Sequence, residues 1–258
     1  MNKTIRNNWL WALTLVTVVM ASGCSYTPVR QHPDFASAAR KVQKIALLPP
    51  DVEYHLLVLT GDNERLPEEE KKVTANLTST IPGLLEKRGY NVLPFNSEKL
   101  QSGQDGNFTL QQVKAAYMEA AKQLYERGRV GEEEAKQFRV SVGPVVNPVA
   151  EALQADGLLL VRYSGFKKSE GLIAKEVVAG ALLGVLTGVV SIPAATGSSM
   201  EIVLLDATNG DVLWANRGFG NAALLVQKLP LTGVAALAQA EAKAAVSEKQ
   251  SSEAQTKP

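Results

Sequence analysis

One cysteine and two histidines are all that 258 residues offer of the softer metal ligands and the strongest nucleophiles. A single thiol excludes an internal disulfide and cannot build a multi-thiolate zinc site. His32 and His55 stand apart, and neither has a second ligand at metal spacing, so both are expected to be structural or solvent-facing. Aromatic residues are scarce at 6%, and the formal net charge is only +1. A nucleic-acid partner is therefore not expected, since polyanion binders concentrate positive charge. Nucleophile elbow, P-loop and dinucleotide fingerprint are missing as well. The acid runs Glu68 to Glu70 and Glu132 to Glu134 read as solvated helix starts rather than as paired catalytic carboxylates. The chain is accordingly expected to be non-enzymatic, with no catalytic residue, no metal and no dissociable cofactor.

What is present begins at the N-terminus, and it explains the lone thiol. Lys3 and Arg6 form a short basic region, an apolar run follows from about Trp9 to Met20, and Ala21, Ser22 and Gly23 lead into Cys24. The apolar run is too short to cross a hydrocarbon core of about 30 Å as a helix, and the three-part order is that of a secretory signal. The segment resembles the lipobox of bacterial lipoproteins, with cleavage between Gly23 and Cys24, although Ala21 stands where that motif usually has Leu. An ordinary signal peptide followed by an incidental cysteine is the alternative. The resemblance implies a diacylglyceryl group and an amide-linked acyl group of palmitate type on Cys24. Ser25, being no Asp, implies sorting to the outer membrane, facing the periplasm. A single acyl chain binds a membrane only reversibly, at about 0.8 kcal/mol per buried methylene, so several chains are needed for a stable anchor. Loss of Lys3 and Arg6 with the signal turns the net charge from +1 to −1 and leaves 258 − 23 = 235 residues, enough for one good core.

The segments then follow in order: signal peptide 1–23, lipidated cysteine and polar tether 24–43, α/β domain 44–246, and a polar tail 247–258 expected to be disordered. Within the first two, a lead-in helix is expected around Phe35 to Val42. "KIALLPP", Lys44 to Pro50, is a buried strand stopped by two prolines. A second strand is expected around Tyr54 to Leu59. A helix starts at Pro67 and is bent or reset at Pro82-Gly83, and a short strand runs from Tyr90 to Phe95. Helical pieces are expected over Leu110 to Arg127, Gly131 to Phe138 and Asn147 to Gln154. "ADGLLLV" introduces a central strand, Leu158 to Tyr163. Asn209-Gly210 lies between two aliphatic runs and tolerates positive φ, which predicts a tight hairpin flanked by the capping residues Asp206 and Asp211. Trp214 on that hairpin reads as core, with an exposed aromatic anchor as the alternative. A last helix is expected over Thr232 to Val246.

On "KIALLPP", "ADGLLLV" and "LLDATNGDVLWA", the chain resembles the envelope lipoproteins related to the curli-secretion protein CsgG, the amino-terminal domain of TolB and the penicillin-binding-protein activator LpoB. The resemblance implies a three-layer α/β domain around a mixed β-sheet, used for binding and assembly at the cell envelope, with an envelope protein or a second copy as partner. Its alternative is a subunit of an oligomeric CsgG-like outer-membrane secretion channel.

One stretch remains, a Gly-rich apolar insertion at 177–197. Gly180, Gly184 and Gly188 recur every fourth residue, which on a helix clears one face for close approach of another backbone. Three readings stand: packing within the domain, an interaction face for a partner or a second copy, and membrane insertion.

Overall fold

The computed structural model describes residues 26–39, 41–94, 98, 106–187 and 194–231. Cys24, Gly23, Gly188, the expected helix at Thr232 to Val246 and the tail lie outside the described residues.

The aliphatic run Leu158–Val161 is fully buried and opens β8 (Gly157–Lys168), the middle of an eight-stranded mixed sheet. On one side of β8 lie β9 (Thr196–Asp206), β10 (Val212–Phe219) and β2 (Arg30–Gln31), each antiparallel to its neighbour. On the other side the first half of β8 pairs in parallel with β3 (Lys44–Leu47), which also pairs with β6 (Asn91–Leu93). The second half of β8 pairs in parallel with β4 (Asp51–Leu57), whose other edge takes β5 (Glu64–Arg65).

Pro49 and Pro50 thus interrupt the ladder without ending it. Leu47 registers with Leu159 and Asp51 with Arg162, so three residues on one strand face two on the other. Two residues without amide hydrogens force this bulge, and β4 resumes at once instead of near Tyr54.

Alternation sorts the strand side chains into two cores. Leu158, Leu160, Val203 and Leu205 face α3 (Gly106–Tyr125), α4 (Asn147–Leu153) and the 3₁₀ turn Pro144–Val146. Leu159, Val161, Ile202 and Leu204 face α1 (Phe35–Ala38), α2 (Pro67–Glu86) and α6 (Ala222–Val226). The fold is an α/β arrangement with a mixed sheet between two helical layers. Val113, Tyr117, Ala121 and Leu124 bury one face of α3, as their spacing predicts.

Several local expectations change. The segment after Cys24 is no free tether: β1 (Tyr26–Thr27) pairs with β7 (Val130–Gly131), and Arg30, His32 and Phe35 are buried. The helical piece expected over Gly131 to Phe138 shrinks to one 3₁₀ turn at Glu134–Lys136, after β7. The helix at Pro67 runs unbroken through Pro82, because Leu77, Ile81 and Leu85 are buried on both sides of it. Their burial offsets the roughly 3 kcal/mol that an interior proline costs. The β9–β10 hairpin forms, but its loop is longer than two residues. The Gly210 amide donates to the Asp206 carbonyl (3.0 Å), and only Gly210 has positive φ (76°). A Cβ at Gly210 would collide with the Gly143 carbonyl, so the loop is shaped by packing on the 141–143 segment as well as by its own φ.

Candidate functional site

The sheet carries one polar row across four strands. Asp51 on β4, Arg162 on β8, Glu201 on β9 and Arg217 on β10 stand directly opposite one another in register. Their charges alternate, so each side chain has an opposite charge beside it. Arg217 Nη2 donates to Glu201 Oε1 (3.2 Å) and Arg162 Nη1 to Glu201 Oε2 (3.4 Å). Arg162 Nε lies 3.7 Å from Asp51 Oδ2, and Lys114 Nζ on α3 lies 3.8 Å from Asp51 Oδ1.

Glu201 is the centre of the row and is only 4% exposed. Burial of a carboxylate is costly unless it is paired and hydrogen-bonded. Here the Tyr117 hydroxyl donates to Glu201 Oε1 at 2.5 Å, in addition to the two arginines. Burial, and then the Glu201 charge, hold the Tyr117 hydroxyl well above the ordinary tyrosine range, so it remains a donor at any physiological pH. Tyr125, about two turns further along α3, receives the Arg217 guanidinium 3.9 Å from its ring centroid, and burial raises its pKa too.

Helix α3 lies along this row, with Lys114 at the Asp51 end and Tyr125 at the Arg217 end. Beyond it the next row of the sheet is Glu53, Ser164 and Ser199, short or flexible polar residues, and it ends at Phe219 on β10. The two rows border an open cleft of about 290 Å³, lined by Asp51, Glu53, Arg162, Ser164, Glu201 and Arg217 among others. Two guanidiniums, three carboxylates and two serine hydroxyls suit a ligand or peptide that presents both charge signs and hydrogen-bonding groups.

At the β10 edge a buried cation holds the N-terminal segment. Arg30 is 0% exposed. Its Nε donates to the Leu124 carbonyl (2.7 Å), Nη1 to the Val29 (2.9 Å) and Thr27 (3.3 Å) carbonyls, and Nη2 to the Gly128 carbonyl. Leu124 and Gly128 end and follow α3, where carbonyls lack helical partners and a cation complements the dipole. The guanidinium also lies over Phe138 (4.6 Å) and Tyr125 (5.1 Å).

None of the residues singled out in the sequence belongs to this cluster. His32 is buried beside β10, its Nδ1 accepting from the Asp34 amide (3.2 Å), while His55 is half-buried on β4. Glu70 is not a solvated helix start: it accepts from Arg65 Nε (2.9 Å), Arg65 Nη2 (3.1 Å) and the Tyr54 amide (3.2 Å). Glu134 pairs with Arg127 and Glu133 with Lys136. Asp206 accepts from the Thr208 amide (2.7 Å), and Asp211 accepts from Asn209 Nδ2 (2.7 Å), both within the hairpin loop. Trp214 is fully buried core, which removes the aromatic-anchor alternative. Gly180 and Gly184 lie in α5 (Glu170–Thr187), a helix where a curli-type pore would need alternating strands. Among the described residues no helix is long and apolar enough to cross a membrane, and no His, Cys, Asp and Glu cluster is suited to a metal. Arg30, Arg162, Glu201 and Arg217 carried no local sequence signal beyond a charge set inside or next to an apolar run. Only strand register brings them together.

No family model and no curated protein matches the chain. Two solved structures do. One is the crystal structure of lipoprotein GNA1162 from Neisseria meningitidis, 15% identical, covering 78% of this chain and 96% of that one with a TM-score of 0.28. The other is the LpoB C-terminal domain from Salmonella enterica, 10% identical, covering 73% and 98% with a TM-score of 0.23. LpoB is one of the three relatives that the sequence resembles, and neither structure is CsgG or TolB. Both scores fall below 0.5, too low for either likeness to say what this chain does.

Proposed function

We propose that the protein is a non-enzymatic binding module of the bacterial envelope, held on the outer membrane by acyl groups on Cys24 and facing the periplasm. The observation that supports binding over turnover is the in-register row Asp51, Arg162, Glu201 and Arg217. Its central charges neutralise one another in fixed geometry, which suits recognition of a polar surface and leaves no unpaired group poised to move a proton. Ser164 and Glu53 are exposed beside that row, so the cleft is open to a protein partner.

The test has two arms in living cells. Labelled palmitate should enter the parent chain and not Cys24→Ser; label that persists in the variant, or never enters the parent, sinks the anchor. A photo-crosslinking residue at Ser164 should give a discrete adduct with another envelope protein, and Arg162→Ala should weaken it several-fold. An adduct with a second copy would assign self-association instead. Absence of any adduct, or turnover of a substrate by the purified domain, would overturn the binding reading.

A further inference from the structure

The large exposed apolar side chains gather at one rim of the sheet. β4 and β8 are parallel, and β10 runs the same way as β8 because both are antiparallel to β9. The C-terminal ends of the three strands therefore share a rim, where Leu57 faces Lys168 and Phe219 faces Ser199, itself paired with Ser164. Phe219, the last residue of β10, is 80% exposed. Leu59 just past β4 and Leu224 just past β10 are exposed, and so are Val177 and Val178 on α5, which springs from the end of β8. Of the described residues, only Phe108 and Met118 on α3 are comparable elsewhere.

Helix α5 adds a second anomaly. From Val177 to Thr187 its sequence has no charged residue. A helix of this composition is normally buried, yet Val178 is 61% exposed. Its first turns carry the exposed Lys175 and follow the exposed Lys167, with Glu170 exposed between them.

The N-terminal chain says what covers this rim. β2 is antiparallel to β10, with Arg30 opposite Ala215, so the chain upstream of Arg30 heads toward the Phe219 end. Cys24 precedes Tyr26 of β1 by two residues, a reach of at most about 7 Å. The described chain therefore begins, at Tyr26, on the side of the sheet where β10 ends at Phe219, two residues after the expected acylation site.

We propose that this rim lies on the lipid surface, with α5 and Phe219 seated in the headgroup–acyl boundary of the leaflet that holds the Cys24 acyl chains. The domain is then docked by two contacts and does not swing on a leash. An exposed apolar rim bordered by Lys167 and Lys175 fits contact with anionic headgroups, and among the described residues no helix is long and apolar enough to cross. The inference rests on acylation of Cys24, and its test is separable from that reading.

The full mature chain carrying Cys24→Ser is fixed by an N-terminal polyhistidine tag to vesicles of phosphatidylethanolamine, phosphatidylglycerol and a nickel-chelating lipid. Because the tag replaces the acyl group, the result does not depend on whether cells acylate Cys24. An environment-sensitive dye is attached through Val178→Cys, and separately through Thr208→Cys at the opposite end of the sheet. On the vesicles, the dye at 178 should shift to the blue and be quenched several-fold more by brominated acyl chains than the dye at 208. A second probe, at Phe219→Cys, should lose its shift when Val177→Glu and Val178→Glu are added, with thermal unfolding unchanged. If the dye at 178 stays in water on the vesicles, the proposal fails. It fails equally if the dye already reports an apolar setting without lipid and does so more strongly at higher protein concentration, which would assign the rim to a second copy.

Discussion

At the scale of single residues, Arg30 decides more than any group that the sequence drew attention to. A fully buried guanidinium would cost several kcal/mol without partners, and four carbonyls and two aromatic rings supply them. Burial lowers its pKa, yet from a value so high that it stays charged throughout the physiological range. Arg30→Met should destabilise the domain by about 3 kcal/mol or more, since the carbonyls of Leu124 and Gly128 lose their donor inside the fold. Arg30→Lys should recover only part of that, because an ammonium cannot fork to carbonyls on two sides. Denaturant unfolding of the two variants checks both statements, and equal midpoints for parent and Arg30→Met would remove the clamp.

At the scale of elements, Glu70 joins three pieces: it sits in the first turn of α2, binds Arg65 of β5 and accepts from the Tyr54 amide of β4. The Arg65 hydrogen bond holds its carboxyl below the ordinary range. A depressed carboxyl contributes stability that is fully present above the unfolded value, about 4.3, and is lost as pH falls through the folded one. Both partners are near the surface, so the contribution at neutral pH should be under about 1 kcal/mol. Glu70→Gln should therefore lower the unfolding midpoint slightly at pH 7, and the difference from the parent should vanish in acid. A difference that persists at pH 3 would mean that the residue acts by packing and not by charge.

For the molecule as a whole, the N-terminal segment is part of the fold. Deleting residues 25–33 would remove β1, β2, Arg30 and His32 and strip one edge of β10 over Trp214 and Ala215. Unlike the trimming of a free tether, this should lower the melting temperature of the soluble domain by about 10 °C, the equivalent of roughly 3 kcal/mol at this size. Calorimetry showing no change would restore a flexible leash and weaken the rim-on-membrane geometry with it.

The sequence by itself determined the buried strand at Leu158, the amphipathic face of α3 and the existence of the β9–β10 hairpin, because each rests on periodicity or turn chemistry within a short window, while the three-layer α/β class was what the family resemblance implied. It also sets the expectation at Cys24, which lies outside the described residues. Tertiary structure decided the rest. Whether Pro49-Pro50 ends a strand depends on the neighbour that accepts Asp51 on the far side of the bulge, and whether Pro82 breaks α2 depends on what Ile81 and Leu85 pack against. The charged row could not be read at all, since Asp51, Arg162, Glu201 and Arg217 are distant in the chain and look like isolated surface charges. Only the register of four strands turns them into a single paired network, and register is set by long-range pairing that no local window contains.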